Sequence, residues 1–343
     1  GQIQIWNNEG IRGNRTQYRM QATVRAGNVI TPFAIDDYDL DGNMDIAVPD
    51  LSAAGALGEL GFVSAFQQES RQSTTILPNR EDGPGLLTVK SGDFDGDGDS
   101  DLIGVVWDCR VVKVRNNGGS NWEKIEDEEF GDDPRDLEPG DFDDDGKTDV
   151  ASVTVDGTVI VILTKGKHLF DDEVSFAKHS GHRDEYRLPD GAFDVKDVHA
   201  VDLTGDDKLD LLIGSRMGAY LLVGIDDGKF EEPVLLEGTG GFPVSSIAVG
   251  DLDGNGTQDL ALGCKKLSCM QLLAKEEEEN HYRTQRTVDV PAGNFIRIAD
   301  LDGDEVDDIV GGGDGLFWTA MSGTAPVEIE NRRPLTSAKR VPP

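Results

Sequence analysis

Cysteine is scarce in this chain, three residues in 343, which excludes a small fold framed by disulfides. No run of about 18 apolar residues occurs, so nothing in the sequence reads as a membrane-spanning helix. Basic residues are also short: 32 Lys and Arg stand against 66 Asp and Glu, giving a formal net charge of −34. A surface that negative argues against nucleic acid and against anionic membranes as partners. A halophilic or simply a soluble secreted surface accounts for the same charge. The signatures of common catalysis are missing as well: no G-x-S-x-G elbow, Walker A motif, dinucleotide fingerprint or H-E-x-x-H pair is present. Cys264 and Cys269 flank the short turn KKLS, an arrangement open both to a hairpin disulfide and to two free thiols. Cys109 has no evident partner and reads as a small buried hydrophobe. No secretory leader is visible, and the start at Gly1 is expected of a mature fragment or an excised piece.

What the chain does have is a nine-residue acidic pattern that returns six times. The copies are DYDLDGNMD from Asp37, DFDGDGDSD from Asp93, DFDDDGKTD from Asp141, DLTGDDKLD from Asp202, DLDGNGTQD from Asp251 and DLDGDEVDD from Asp300. Their starts lie 56, 48, 61, 49 and 49 residues apart, a period that marks an array of similar units. Together the six windows hold 27 of the 66 acids. Carboxylates at alternate positions repel one another unless a hard cation sits among them. Asp at positions 1, 3 and 5 of a tight loop can turn oxygens toward one centre, Gly at position 6 permits the sharp turn, and Asp at position 9 closes the shell.

An EF-hand begins in the same way but needs a bidentate Glu at position 12 between two helices. Position 12 here is Val48, Gly104, Ser152, Ile213, Leu262 and Gly311, none of which can serve. The residues after position 9, IAV, LIG, VAS, LLI, LAL and IVG, suit a buried strand. The reading is therefore a metal loop between two β-strands. Strings such as GDFDGDGDSDLIG, GDFDDDGKTDVAS and GDLDGNGTQDLAL resemble the FG-GAP/VCBS repeats of bacterial secreted proteins and of integrin α-subunit propellers. The resemblance covers about residues 1–330 and implies an all-β propeller whose calcium loops join the first two strands of each four-stranded blade. Carried over residue by residue, it implies calcium ligands at Asp37, Asp39, Asp41 and Asp45; Asp93, Asp95, Asp97 and Asp101; and Asp141, Asp143, Asp145 and Asp149. In the second half of the chain they are Asp202, Thr204, Asp206 and Asp210; Asp251, Asp253, Asn255 and Asp259; and Asp300, Asp302, Asp304 and Asp308. Up to six structural calcium ions follow. The copy at Asp202 departs from the pattern, with Thr204 at position 3 and Asp207 at position 6, and is expected to bind most weakly. Calcium use points outside the cell, to its surface or to the periplasm.

Each unit can be laid out as an apolar strand, the acidic loop, a second strand, a short turn, a third strand and a variable fourth. In the unit from Asp251 these are SSIAVG, DLALG, CMQLLA and HYRTQRTVDV; in the unit from Asp141 the third strand is TVIVILT after the turn DG. IQIWNNEG and YRMQATV look like the third and fourth strands of a unit without its inner half. Six units plus a half predict one seven-bladed domain over 1–343, with half-blade 1–26 completed by the tail, 324–343; six blades is the alternative. Residues 50–85 and 164–194 read as insertions, and EEEEN from Glu276 as a solvated turn.

Aligning the first strands on their loops gives two further rows. Four residues before each loop stand Phe33, Val89, Leu137, Val198, Ile247 and Ile296, apolar and expected between blades. One residue later stand Ala34, Lys90, Glu138, His199, Ala248 and Arg297, which strand alternation turns the other way, toward a central channel. There Lys90, Glu138, His199 and Arg297 could neutralise one another or hold a small anion. His179, His182 and Tyr186, with Arg183 and Arg187 beside them, carry the residue types of a polysaccharide lyase, although an ordinary polar loop explains them too. The function expected is a calcium-binding adhesion module, not an enzyme, for a protein or glycan ligand. A secreted polysaccharide lyase or hydrolase, and a purely structural module of a longer surface protein, are the alternatives.

Overall fold

The computed structural model describes residues 2–11, 16–25, 33–42, 44–50, 59–63, 73–77, 86–106, 109–118, 121–129, 133–171, 174, 183–189, 192–264, 267–276, 282–290, 295–301, 304–313, 316–320 and 329–332. Among them the chain is almost wholly β. Six four-stranded antiparallel sheets follow one another, each with its strands in simple chain order. Sheet I comprises Ala34–Asp36, Asp45–Asp50, Glu59–Val63 and Ser73–Leu77. Sheet II comprises Leu86–Gly92, Asp101–Val106, Arg110–Asn116 and Trp122–Glu129. Sheet III comprises Pro134–Gly140, Asp149–Thr154, Thr158–Ile162 and Arg183–Arg187. Sheet IV is Asp197–Val201, Asp210–Ser215, Gly218–Leu222 and Val234–Leu235, with a small hairpin, Gly224–Ile225 and Lys229–Phe230, set between its last two strands. Sheet V is Ser246–Gly250, Asp259–Cys264, Cys269–Lys275 and Tyr282–Asp289. Sheet VI is Phe295–Ala299, Asp308–Gly313, Leu316–Ala320 and Ile329–Arg332.

The acidic loops fall where the pattern places them, between first and second strands, and position 9 opens each second strand. In sheets II to V the second strand is buried along all six of its residues. That is why these strands read as continuous apolar runs rather than alternating ones: both faces are covered. The cover comes from the neighbouring sheets. Leu137 packs with Phe94, Ile103 and Val105 of sheet II, Val198 with Val153 and Val161 of sheet III, Ile247 with Leu212 and Leu221 of sheet IV, and Ile296 with Ala261 and Met270 of sheet V. The core is thus a series of sheet-on-sheet seams, and the first strands contact one another in succession.

Several details differ from the sequence reading. Residues 50–85 are not an insertion; they hold the third and fourth strands of sheet I. The stretch 164–194 likewise contains the fourth strand of sheet III. Cys264 and Cys269 face each other in register, both buried and both free thiols. Cys109 is half-buried in a turn at φ 65° rather than in the core. Phe33 is 44% exposed, whereas Val89, Leu137, Val198, Ile247 and Ile296 are 0–2% exposed, because no sheet among the described residues covers it. Gln2–Ile11 and Thr16–Arg25 pair as a two-stranded sheet of their own. Of the tail 324–343, Ile329–Arg332 pairs with Leu316–Ala320 as the fourth strand of sheet VI, and the rest of it, with the run after Glu276, lies outside the described residues.

Candidate metal loops and the charged inner rim

The acidic loops share a backbone conformation at their described positions. Position 4 takes a left-handed φ at Leu40, Gly96, Asp144, Gly205 and Gly254, and position 6 does so at Gly42, Gly98, Gly146, Asp207, Gly256 and Glu305. Gly is the economical residue for that conformation; Asp207 at 66° and Glu305 at 68° adopt it despite their side chains. The cause is the Asp at position 1. Its Oδ2 accepts the position-6 amide in every copy: from Gly42 at 2.8 Å, Gly98 at 3.1 Å, Gly146 at 2.8 Å, Asp207 at 2.9 Å, Gly256 at 2.7 Å and Glu305 at 3.1 Å. Position 5 accepts the amide of position 7: Asp97 from Asp99, Asp145 from Lys147, Asp206 from Lys208, Asn255 from Thr257 and Asp304 from Val306. Asn255 does this as well as the carboxylates, since its amide oxygen is the acceptor.

Position 9 has a second task that its spacing did not disclose. Asp101 accepts the Phe94 amide at 3.0 Å on one oxygen and the Asn116 amide at 2.8 Å on the other. Asp149 does the same with Phe142 and Thr164, Asp210 with Leu203 and Gly224, and Asp259 with Leu252 and Lys275. Each buried carboxylate therefore pins its own loop to the end of the third strand. Burial pushes Asp101 up to about 7 and Asp149 and Asp259 up to about 6, with the neighbouring loop carboxylates adding to the rise.

Four loops gather three carboxylates close enough to hold one metal ion: Asp37, Asp39 and Asp41; Asp93, Asp95 and Asp101; Asp141, Asp143 and Asp149; Asp251, Asp253 and Asp259. In the two central sets Asp97 and Asp145 stand outside the trio. The loop from Asp202 forms no such trio, and the Thr204 hydroxyl donates to Asp206 at 3.0 Å instead. In the loop from Asp300, Asp302 lies outside the described residues. The donor set fits a hard divalent cation. Two oxygens make the fit specific: Asp95 Oδ1 and Asp143 Oδ1 are buried without a hydrogen-bond donor, a costly state that an ion would relieve.

At the inner rim the first strands are tied sheet to sheet. Asp136 Oδ2 accepts the Val198 amide at 3.4 Å, Asp197 Oδ2 the Ile247 amide at 2.7 Å, and Ser246 Oγ the Ile296 amide at 3.0 Å. These acceptors stand five residues before their loops, one place before the apolar row; of the six residues there, Pro32, Thr88, Asp136, Asp197, Ser246 and Phe295, the middle four are polar. Lys90 donates to Glu138 at 2.6 Å and lies 3.9 Å from Asp136; His199 Nε2 lies 3.6 Å from Asp197. Lys90, Glu138 and His199 thus come together as expected, while exposed Arg297 turns to the Ile296 carbonyl. Burial raises Asp136 to about 7 against the pull of Lys90. Burial works against the Asp197 charge too, but His199 outweighs it and holds this carboxyl at about 2. Burial would lower His199, and Asp197 raises it instead.

Of the lyase candidates, His179 and His182 lie outside the described residues, and the Tyr186 hydroxyl accepts the Phe230 amide at 3.0 Å. Arg183 pairs with Glu185, and Arg187 with Asp156. A polar cleft of about 420 Å³ opens beside the loop from Asp251, lined by Asp253, Lys275, Glu276, Arg283 and Thr284 among others.

Residues 202–262 match the model of the FG-GAP-like repeat. A solved lectin from Agrocybe aegerita, described as recognising non-reducing terminal N-acetylglucosamine, is similar at 17% identity over 91% of this chain and 85% of its own, with a TM-score of 0.56. Two structures of BBS1N in complex with ARL6DN are similar at 11% and 9% identity, covering 87% and 90% of this chain and 81% and 84% of theirs, with TM-scores of 0.53 and 0.57. Residues 202–262 carry an FG-GAP-like repeat, and the chain has the fold of a β-propeller. No curated protein matches it. At these identities the solved structures speak for the propeller fold alone. Among the described residues, no helix of the propeller is long and apolar enough to cross a membrane.

Proposed function

We propose that this propeller is a calcium-stabilised binding module that works outside the cell and presents its rim to a protein or glycan. The observation that carries the calcium reading is the repeated trio with a buried, donorless oxygen at Asp95 and Asp143. Asp37, Asp93, Asp141 and Asp251 with their trio partners would hold the ions, and the loops from Asp202 and Asp300 would complete the set of six. When bound, calcium supplies charge neutralisation and rigidity to the inner turns. The chain's own part is to fix the backbone through positions 1 and 9 before the ion arrives, which lowers the ordering cost of binding.

The binding role rests on rigid sheets carrying irregular outer connections, the arrangement that pre-orders a recognition surface. The cleft beside Asp253, with Arg283, Glu276 and Thr284, has the polar lining that sugar hydroxyls or a peptide backbone require. A seven-bladed ring is part of the same proposal: six sheets carry one loop each, the N-terminal hairpin supplies an outer pair, and exposed Phe33 marks the seam still to be covered. A glycan array that includes terminal N-acetylglucosamine, probed with and without calcium, tests the binding role. Calcium-dependent retention abolished by Arg283→Ala is expected for a ligand in that cleft; retention untouched by that change removes the cleft from the proposal.

A further inference from the structure

Two basic side chains reach into two of the acidic loops from outside the nine-residue pattern. Arg115, on the third strand of sheet II, makes an ion pair through Nε with Asp95 Oδ2. Lys165, just past the third strand of sheet III, sets Nζ 3.0 Å from Asp143 Oδ2. Both target position 3, both take Oδ2, and in both carboxylates Oδ1 is left buried and without a donor. The Asp143 side chain is only 7% exposed. The two cations come from different places relative to their loops, so the shared end point is not a by-product of the repeat. Arg115 lies one residue before the amide that bonds Asp101, and Lys165 one residue after the amide that bonds Asp149.

Lys165 is held there by its surroundings. It sits at φ 53°, its ammonium also reaches the Asp227 carbonyl at 3.4 Å, and the next amide, Gly166, donates to Asp145. The segment then crosses to the preceding loop, where the Phe170 amide donates to the Phe94 carbonyl and the two rings pack 5.4 Å apart. The loop from Asp251 offers the contrast. Lys275, whose amide bonds Asp259, sends its ammonium to the Leu203 carbonyl, and no ion pair reaches Asp253 among the described residues. That loop holds three acids in its nine residues, whereas the loops with resident cations hold five each.

We propose that Arg115 and Lys165 are built-in counter-ions of these two loops. They neutralise the position-3 carboxylate while the loop is metal-free, and their charge opposes the incoming calcium ion and lowers its affinity. The proposal rests on calcium filling the loops, since only then is there an ion for them to oppose. Like charges on one carboxylate compete, and the cation that is covalently part of the chain is always present at high local concentration.

The test compares the wild type with Arg115→Met, Lys165→Met, their combination and Arg115→Lys. Calcium affinity is read by titration against a competing chelator at low salt, and the thermal midpoint is read in EDTA. Removing each charge should tighten its loop by about two- to fivefold, the scale of a partly exposed ion pair. The same change should lower the midpoint in EDTA, and Arg115→Lys should restore both values. Weaker calcium binding in the Met variants would overturn the proposal, because the cations would then be orienting their carboxylates. A lower midpoint with unchanged affinity would overturn it too, as plain packing. A wild-type protein that takes up no calcium would instead remove the calcium reading itself, a result seen before any variant is made.

Discussion

The acids of one loop are not equivalent once their hydrogen bonds are laid out. At Asp101, Asp149, Asp210 and Asp259 position 9 spends both oxygens on backbone amides inside the fold, while position 5 sits in solvent and accepts the position-7 amide, a bond that an Asn can also accept, as Asn255 does. Asp149→Asn should therefore cost about 1–3 kcal/mol with or without calcium, the penalty for a broken buried bond. Asp97→Asn should leave the midpoint in EDTA unchanged and weaken calcium binding alone. Thermal melts of both variants in calcium and in EDTA check this, and an Asp149→Asn loss seen only with calcium would reduce that residue to a ligand. The sequence made the six loops and their acids legible. It did not separate these duties, because one of the two donors to each position 9 lies 14 to 16 residues downstream, at or just past the end of the third strand.

At the scale of the sheet, the inner rim joins neighbours through Asp136 and Asp197, and these two carboxyls respond to pH in opposite senses. Asp136 is raised in the folded state to about 7. The fold consequently binds its proton more tightly than the unfolded chain does, and stability falls as pH rises from about 4 to about 7. His199, also raised, adds stability that is present below its unfolded value near 6.5 and lost above it. Asp197, held at about 2, contributes stability above about 4 that disappears as pH falls through 2. In saturating calcium the protein should melt higher at pH 5.5 than at pH 8, and Asp136→Asn should flatten that slope. An identical slope in the variant would show that other groups set it. Aligning the strands brought Lys90, Glu138 and His199 into one row, but the latch residues two positions earlier escaped it. Their partners are amides of the next sheet, 50 to 62 residues away.

For the molecule as a whole, a charge of −34 makes the metal-free form a self-repelling one, so calcium should stabilise it by mass action. Each site at one hundred times its dissociation constant adds about 2.7 kcal/mol. Chelation should lower the midpoint by several degrees or more, and the calcium-dependent part of the loss should be larger for Asp141→Ala than for Asp202→Ala. In EDTA Asp202→Ala should cost at least as much as Asp141→Ala, because Asp202 accepts three loop amides and Asp141 two. Differential scanning calorimetry of the three proteins decides it: equal calcium-dependent losses would remove the ranking of the loops.

Periodicity and residue chemistry settled the repeat, the all-β class, the place of each acidic loop and the strands on either side. Those features are local: a left-handed turn, two amide bonds to one Asp and an apolar run need only neighbours in the chain. The sequence read residues 50–85 and 164–194 as insertions, because a fourth strand such as Arg183–Arg187 is half-exposed and carries no strong pattern. Only pairing identified them as sheet edges. Tertiary structure likewise chose which carboxylates converge, which acid ties which strand, and that Arg115 and Lys165 face position 3. Each of those contacts joins groups distant in sequence, and distance in the chain leaves no periodic trace to read.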